Sequence, residues 1–282
     1  MKRDPQASDI EDVSLPYLLE SADDQADYSV GVPFRNRILG IAFVMSGSAV
    51  FDFNCIEYSL GLHDCMIIPP NTVMECRKRS DDYIAALLAI GKVPDNTPQD
   101  TLGTFLSVPS RVFLDEEDWF RLVKWLDLFK SHLKHGGPAR EAVDYLLLSL
   151  LSDIHGVHES VEKNRPVQSH NRNEEVFKRF IAMLNEPGPS ERSVLFYAER
   201  LMLSPNYLNN VIRRWSGRTV MDWINRATVN KAKMLLKYTD KMVYEIADDL
   251  QFSDSASFSH FFKKHVGMTP LDFKKGTRKD PA

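Results

Sequence analysis

Two stretches toward the C-terminal end of this chain set side chains able to read a nucleic-acid base beside others able to grip its backbone. In LSPNYLNNVIRRWSG, residues 203–217, the polar set is Asn206, Asn209, Asn210 and Arg213. Asparagine can pair with the major-groove edge of adenine, and arginine with that of guanine. In FSDSASFSHFFKKHVGMTP, residues 252–270, the candidate readers are Ser255, Ser257 and His260. Arg214, Arg218, Lys263 and Lys264 are suited to phosphate, which positions a protein without reading sequence.

Helical spacing must hold these groups outward. A helix from Val194 to Met202 turns Val194, Tyr197, Ala198 and Leu201 inward. Ser204 is a good N-cap and Pro205 suits the first helical position. The next helix buries Leu208, Val211, Ile212 and Trp215, and Gly217 ends it with a left-handed cap. The second stretch repeats the plan. Ile246, Ala247 and Leu250 face inward, Ser253 or Asp254 caps, and Phe258, Phe261, Phe262 and Val266 form the apolar stripe. Helix, tight turn and second helix with a polar face define a helix-turn-helix, here at about 193–217 and again at about 243–267. Between them TVMDWINRATVNKAKMLLKYTD reads as one rigid helix of about five turns, roughly 27 Å long. Major grooves recur about every 34 Å along one face of a duplex. One chain could therefore insert two reading helices in successive grooves.

Charge agrees with a polyanionic partner. The net charge is -4, but residues 170–282 hold about 19 basic against about 13 acidic side chains, and the preceding part is acidic. The rest of the chain is different in texture. ILGIAFVMSGSAVFDFN, Glu57 to Leu60, CMIIPP and YIAALLAI read as short strands, with turns at Ser46–Ser48 and Gly61. Such spacing predicts a small barrel or sandwich. Two amphipathic helices follow, EEDWFRLVKWLDLFKSHL and REAVDYLLLSLLSDI, the first ended by Gly136, Gly137 and Pro138. HESVEKNRPVQSHNRN is nearly devoid of apolar residues and reads as a linker, and PGP at 187–189 closes the first helix after it. The expected division is 1–157, linker 158–173, and 174–282.

Residues 174–276 resemble the DNA-binding domain of the AraC/XylS family of bacterial transcription regulators. The match lies in Ala198, in LSPNYLNNVIRRWSG and in IADDLQFSDSASFSHFFKKHVGMTP. The family pattern for the last is I-A-x-x-x-G-F-x-D-x-S-x-F-x-R-x-F-K-K-x-x-G-x-T-P. Gln251 stands where the family has glycine, and His260 where it has arginine. The β-rich region, about 35–110, resembles the family's cupin-like sensor domain. The resemblance implies an α+β protein: an N-terminal cupin-like β-barrel with two flanking helices, and an all-α C-terminal domain of two helix-turn-helix units joined by a long helix. It also implies double-stranded DNA as partner, a homodimer through the flanking helices, RNA polymerase as partner if the protein activates, and a small effector. Phe43, Met45, Phe51, Phe53 and Met74 could line an effector pocket, or could be plain core.

Other classes have little support. A cupin metal enzyme would need several histidines and a carboxylate, and His63 is the only histidine before residue 130. Cys55, Cys65 and Cys76 lack close Cys-x-x-Cys spacing, so no metal or cofactor is expected. No nucleophile motif, P-loop or dinucleotide glycine pattern appears, so no catalytic residue is assigned. An odd cysteine count, no apolar run of membrane-spanning length and a polar, acidic start lead to the expectation of a cytoplasmic protein with no membrane partner. An effector-binding module with a degenerate DNA-binding domain is the remaining alternative.

Overall fold

The computed structural model describes residues 17–21, 30–106, 108–134, 140–164, 172–186 and 191–277. The glycine-proline stop at 136–138, the PGP at 187–189 and the polar start lie outside them. Strands β1 (Tyr17–Ser21), β2 (Phe34–Arg35), β3 (Leu39–Ser46), β4 (Ser48–Phe53), β5 (Ile56–Gly61), β6 (Asp64–Ile68), β7 (Val73–Arg79), β8 (Ile84–Ile90) and β9 (Ser110–Phe113) build the N-terminal part. They form two antiparallel sheets, β1-β8-β3-β6-β9 and β2-β7-β4-β5, rather than the closed barrel expected. The reason lies at Gly47. There the chain leaves one sheet and enters the other, so β3 pairs with β6 and β8 while β4 pairs with β5 and β7. Gly47 has φ +67°, and a Cβ there would meet Tyr83 N at 2.7 Å. Only glycine makes this corner without strain.

The first sheet is apolar on both faces, as a layer covered on both sides must be. Leu39, Ile41, Phe43, Cys65, Ile67, Ala86 and Leu88 pack toward helices, with Met45 partly buried beside them. Those helices are α1 (Gln99–Leu106), α2 (Glu116–Lys134) and α3 (Arg140–Asn164). On the other face Val44, Met66 and Ile68 meet Phe51, Phe53, Leu60, Met74 and Cys76 of the second sheet. The five residues expected to line one pocket are thereby split. Phe51, Phe53 and Met74 lie between the sheets, whereas Phe43 and Met45 lie on the opposite face against the helices. Helix α3 also continues to Asn164, into the stretch read as linker.

Among the described residues seven helices follow: α4 (Arg172–Leu184), α5 (Val194–Arg200), α6 (Pro205–Ser216), α7 (Val220–Tyr238), α8 (Val243–Asp249), α9 (Ser255–Val266) and α10 (Pro270–Thr277). They enclose two cores. One gathers Phe180, Tyr197, Ala198, Leu208, Ile212, Trp223 and Ile224, the other Ala232, Leu236, Ile246, Ala247, Leu250, Phe258 and Phe262. Helix α7 belongs to both, so it sets how the two units stand to each other.

Candidate nucleic-acid interface

Each helix-turn-helix unit is fixed by local chemistry. Ser204 Oγ accepts the Tyr207 N–H at 3.2 Å, Pro205 opens α6, and Gly217 closes it at φ +71°. Helix α7 starts in a reciprocal box. Asp222 N–H donates to Thr219 Oγ1 at 3.1 Å, and Thr219 N–H donates to Asp222 Oδ2 at 3.0 Å. The Thr219 hydroxyl, donating to Asp222 Oδ2 at 2.7 Å, and the Thr219 N–H together hold the Asp222 carboxyl below its usual range. In the second unit Asp254, not Ser253, is the cap, accepting the Ser257 N–H at 2.6 Å. Bonds from Ser257 and Ser253 likewise lower the Asp254 carboxyl. Gly267 ends α9 at φ +88°.

The two tight turns match bond for bond. In the first, Met202 N–H donates to Glu199 O and Leu203 N–H to Ala198 O, each at 2.9 Å. In the second, Gln251 N–H donates to Asp248 O and Phe252 N–H to Ala247 O, again each at 2.9 Å. Met202 has φ +54° and Gln251 φ +57°. Gln251 therefore keeps the left-handed turn that glycine would make freely, and the unit is closed despite the departure.

On α6 the structure leaves Asn206, Asn210, Arg213 and Arg214 exposed, with Arg218 just beyond the cap. Asn209 is placed differently. It is half-buried, and its Oδ1 accepts the Val220 N–H at 3.2 Å, tying α6 to the start of α7. Ser255, Ser257, His260, Lys263 and Lys264 are exposed on α9. The Ser257 hydroxyl donates to Asp254 Oδ2 at 2.9 Å, so it serves the cap as well as the outer face. Phe258 and Phe262 are fully buried, and Phe261 is partly so against Phe252 at 5.1 Å. Arg192 stacks on Phe252 with its guanidinium 3.8 Å from the ring centre. Trp215, expected inside, is 41% exposed; Trp223 takes the inward place and donates its Nε1–H to Ser216 Oγ at 2.8 Å. Helix α7, with 19 residues, is about 28 Å long.

A group of residues outside the expected site joins the two parts of the chain. Asp52 on β4 and Glu75 on β7 are paired across the strands, and both are buried. Like charges set opposite each other repel, and here three cations answer them. Arg77 bonds both carboxylates, Arg226 of α7 meets Asp52 at 3.2 Å, and Lys233 of α7 meets Glu75 at 2.8 Å. Burial pulls the Arg77 guanidinium down, but Glu75 and Asp52 more than reverse it, so its net shift is upward. Lys233 Nζ also donates to Gly31 O at 2.9 Å, and Arg35 to Asn185 O at 2.6 Å. The β4–β5 turn, Asn54 and Cys55, has φ +51° and +67°. It sets Cys55 into the first helical core, where burial pushes its thiol up to about 12 and Asn230 Nδ2–H donates to the sulfur at 3.4 Å. An acid between apolar neighbours in FDF and in MEC was the only sequence signal of this contact.

Paired helix-turn-helix units with polar outer faces define a class of DNA-binding regulators, and comparison with known proteins agrees. Residues 197–276 match the family described as "Helix-turn-helix domain". The chain is 28% identical over 154 residues to the HTH-type transcriptional activator RhaR of Enterobacter sp. (strain 638), covering 54% of this chain and 52% of that protein. It is 32% identical over 79 residues to the arabinose operon regulatory protein of Escherichia coli (strain K12), covering 28% and 27%. Among solved structures, ToxT from Vibrio cholerae O395 aligns over 94% of this chain and 98% of its own, with 13% identity and a TM-score of 0.45. The chain thus spans about half the length, or less, of these curated relatives. Over its C-terminal helix-turn-helix region the chain is similar to these transcription regulators.

Proposed function

We propose that the protein is a sequence-specific transcription regulator that lays α6 and α9 in successive major grooves of one duplex face. The observation that carries this is the pairing of two like units, each held by its own cap and core, with solvent-facing Asn206, Asn210, Arg213 and His260. Arg214, Arg218, Lys263 and Lys264 grip phosphate. Asn209 and Ser257 act mainly by shaping the helix starts and reach bases only as their structural bonds permit. Binding answers to a small effector held between the two sheets, beside Phe51, Phe53 and Met74. Two copies associate through α2 and α3, which expose Phe120, Leu128 and Tyr145. The setting is the cytoplasm, with RNA polymerase a further partner if the protein activates. No catalytic step is needed.

Mobility shifts with selected and random duplex at stated salt test the assignment. Arg213→Ala weakens the selected site by about 1–3 kcal/mol and relaxes its sequence preference. Lys263→Ala weakens both duplexes alike and lowers the salt slope by about 1. Equal losses on both duplexes for Arg213→Ala would remove it from base reading.

A further inference from the structure

The faces of the second sheet divide its labour by residue parity. On β2, β4 and β7 the inward residues are Phe34, Phe51, Phe53, Met74 and Cys76, all in the inter-sheet core. Their immediate neighbours Arg35, Asp52, Glu75 and Arg77 point the other way, toward the helical domain. Side chains alternate faces along a strand, so a displacement of the β4 and β7 backbone that opens the core also moves the charges on the opposite face.

What those charges hold is helix α7. Arg226 and Lys233 are seven residues apart, two turns along one face of the helix. Each is bonded to one member of the Asp52–Glu75 pair. The register of β4 on β7 slips at Arg77, which no β4 residue opposes, and the bulge lets its guanidinium span both acids. The pair is buried to 1% and 0% exposure. Removing one side of such a pair leaves a charge without compensation, which is far more disruptive than loss of a surface ion pair. Asp52 Oδ1 and Glu75 Oε2 find no donor among the described residues, so all the bonds converge on one oxygen of each acid, one cation from β7 and one from α7 on each. The outer faces of α6 and α9 remain exposed while α7 is gripped. The contact therefore cannot act by masking them; it acts on the rod that spaces them.

We infer that the Asp52–Glu75 pair, clasping Arg226 and Lys233, is the element through which the inter-sheet core controls the spacing of the two reading helices. This rests on the regulator reading above, and it names the route by which an occupant of the sheets reaches the DNA-facing helices. Occupancy between the sheets displaces Phe53 and Met74, the displacement carries Asp52 and Glu75 with it, and α7 follows.

The test is hydrogen exchange of α7 in the full chain without DNA. Phe53→Leu, a small perturbation of the inter-sheet core, should speed exchange in α7 on the order of threefold or more. The same change made on top of Arg226→Met with Lys233→Met should leave α7 exchange unaltered, because both bonds from the acid pair to α7 are gone. Glu75→Gln and Lys233→Met singly should each speed α7 exchange on the order of tenfold, and together by less than the product. Met74→Ala replaces Phe53→Leu if that variant does not fold. Equal effects of the core change in both backgrounds, or an effect in neither, would overturn the inference. No arm uses DNA, so a chain that failed to bind duplex would sink the regulator reading and leave this measurement standing.

Discussion

Replacing Gln251 by glycine should make the protein more stable, although it deletes a whole side chain. Gln251 sits at φ +57° in the turn of the second unit, with its side chain exposed. A left-handed conformation costs an L-residue about 1–2 kcal/mol. Glycine removes that strain and brings back about 0.5–1 kcal/mol of extra freedom in the unfolded chain. The net gain is about 0.5–1 kcal/mol, or a rise of roughly 2–6 °C in the melting temperature of a domain this size. Met202→Gly, at φ +54° and 90% exposed, should gain a similar amount in the first unit. Gln251→Ala keeps the strain while removing most of the side chain, and should stay within about 0.5 kcal/mol of the parent. Scanning calorimetry of the full chain reads all three. Destabilisation by both glycine variants would mean that the turns are not left-handed and that the equivalence of the two units is wrong.

Asp222→Ala should destabilise the C-terminal domain by about 1 kcal/mol through loss of the α7 capping box, seen as a lower urea midpoint. Because the folded Asp222 carboxyl sits below its unfolded value of about 3.9, its contribution is present above that pH. It fades as the pH falls through the folded value, so the difference between parent and Asp222→Asn should shrink only in that acid range. Gly47→Ala should cost about 2 kcal/mol or more, since a left-handed residue gains a Cβ against the Tyr83 backbone; an unchanged denaturation midpoint would exclude the sheet-switching corner.

The helical half was readable because its signals are local. Stripes of period 3.6, the cap at Ser204, a cap at Ser253 or Asp254 and the glycine at 217 each act within a few residues, and the structure has them, with Asp254 as the second cap. The sheet half was less so. Strand β7, VMECRKR, was not recognised because its last residues are charged and exposed, while the fold buries its first four. In β3 the run from Leu39 to Val44 is apolar at every position, so no alternation told Phe43 from its neighbours, and whether it was pocket or plain core stayed open until the structure placed it in the core against the helices. The half-buried place of Asn209 and the exposure of Trp215 were hidden for a related reason. Spacing on an isolated helix cannot show that the Val220 N–H takes one and that Trp223 takes the inward place of the other. Buried acids are rare, and only the β4–β7 register places Asp52 opposite Glu75. That pairing, and the grip on α7, is tertiary information that no local pattern carries.

Selection of bound sites from random duplex by the full chain tests the central claim most directly. Two helices in successive grooves should enrich a bipartite site whose two parts lie about 10.5 base pairs apart, one turn of the duplex. Arg213→Ala should blur one part and leave the other sharp. Enrichment of a single short element, of parts on opposite faces of the duplex, or of no sequence would contradict the account.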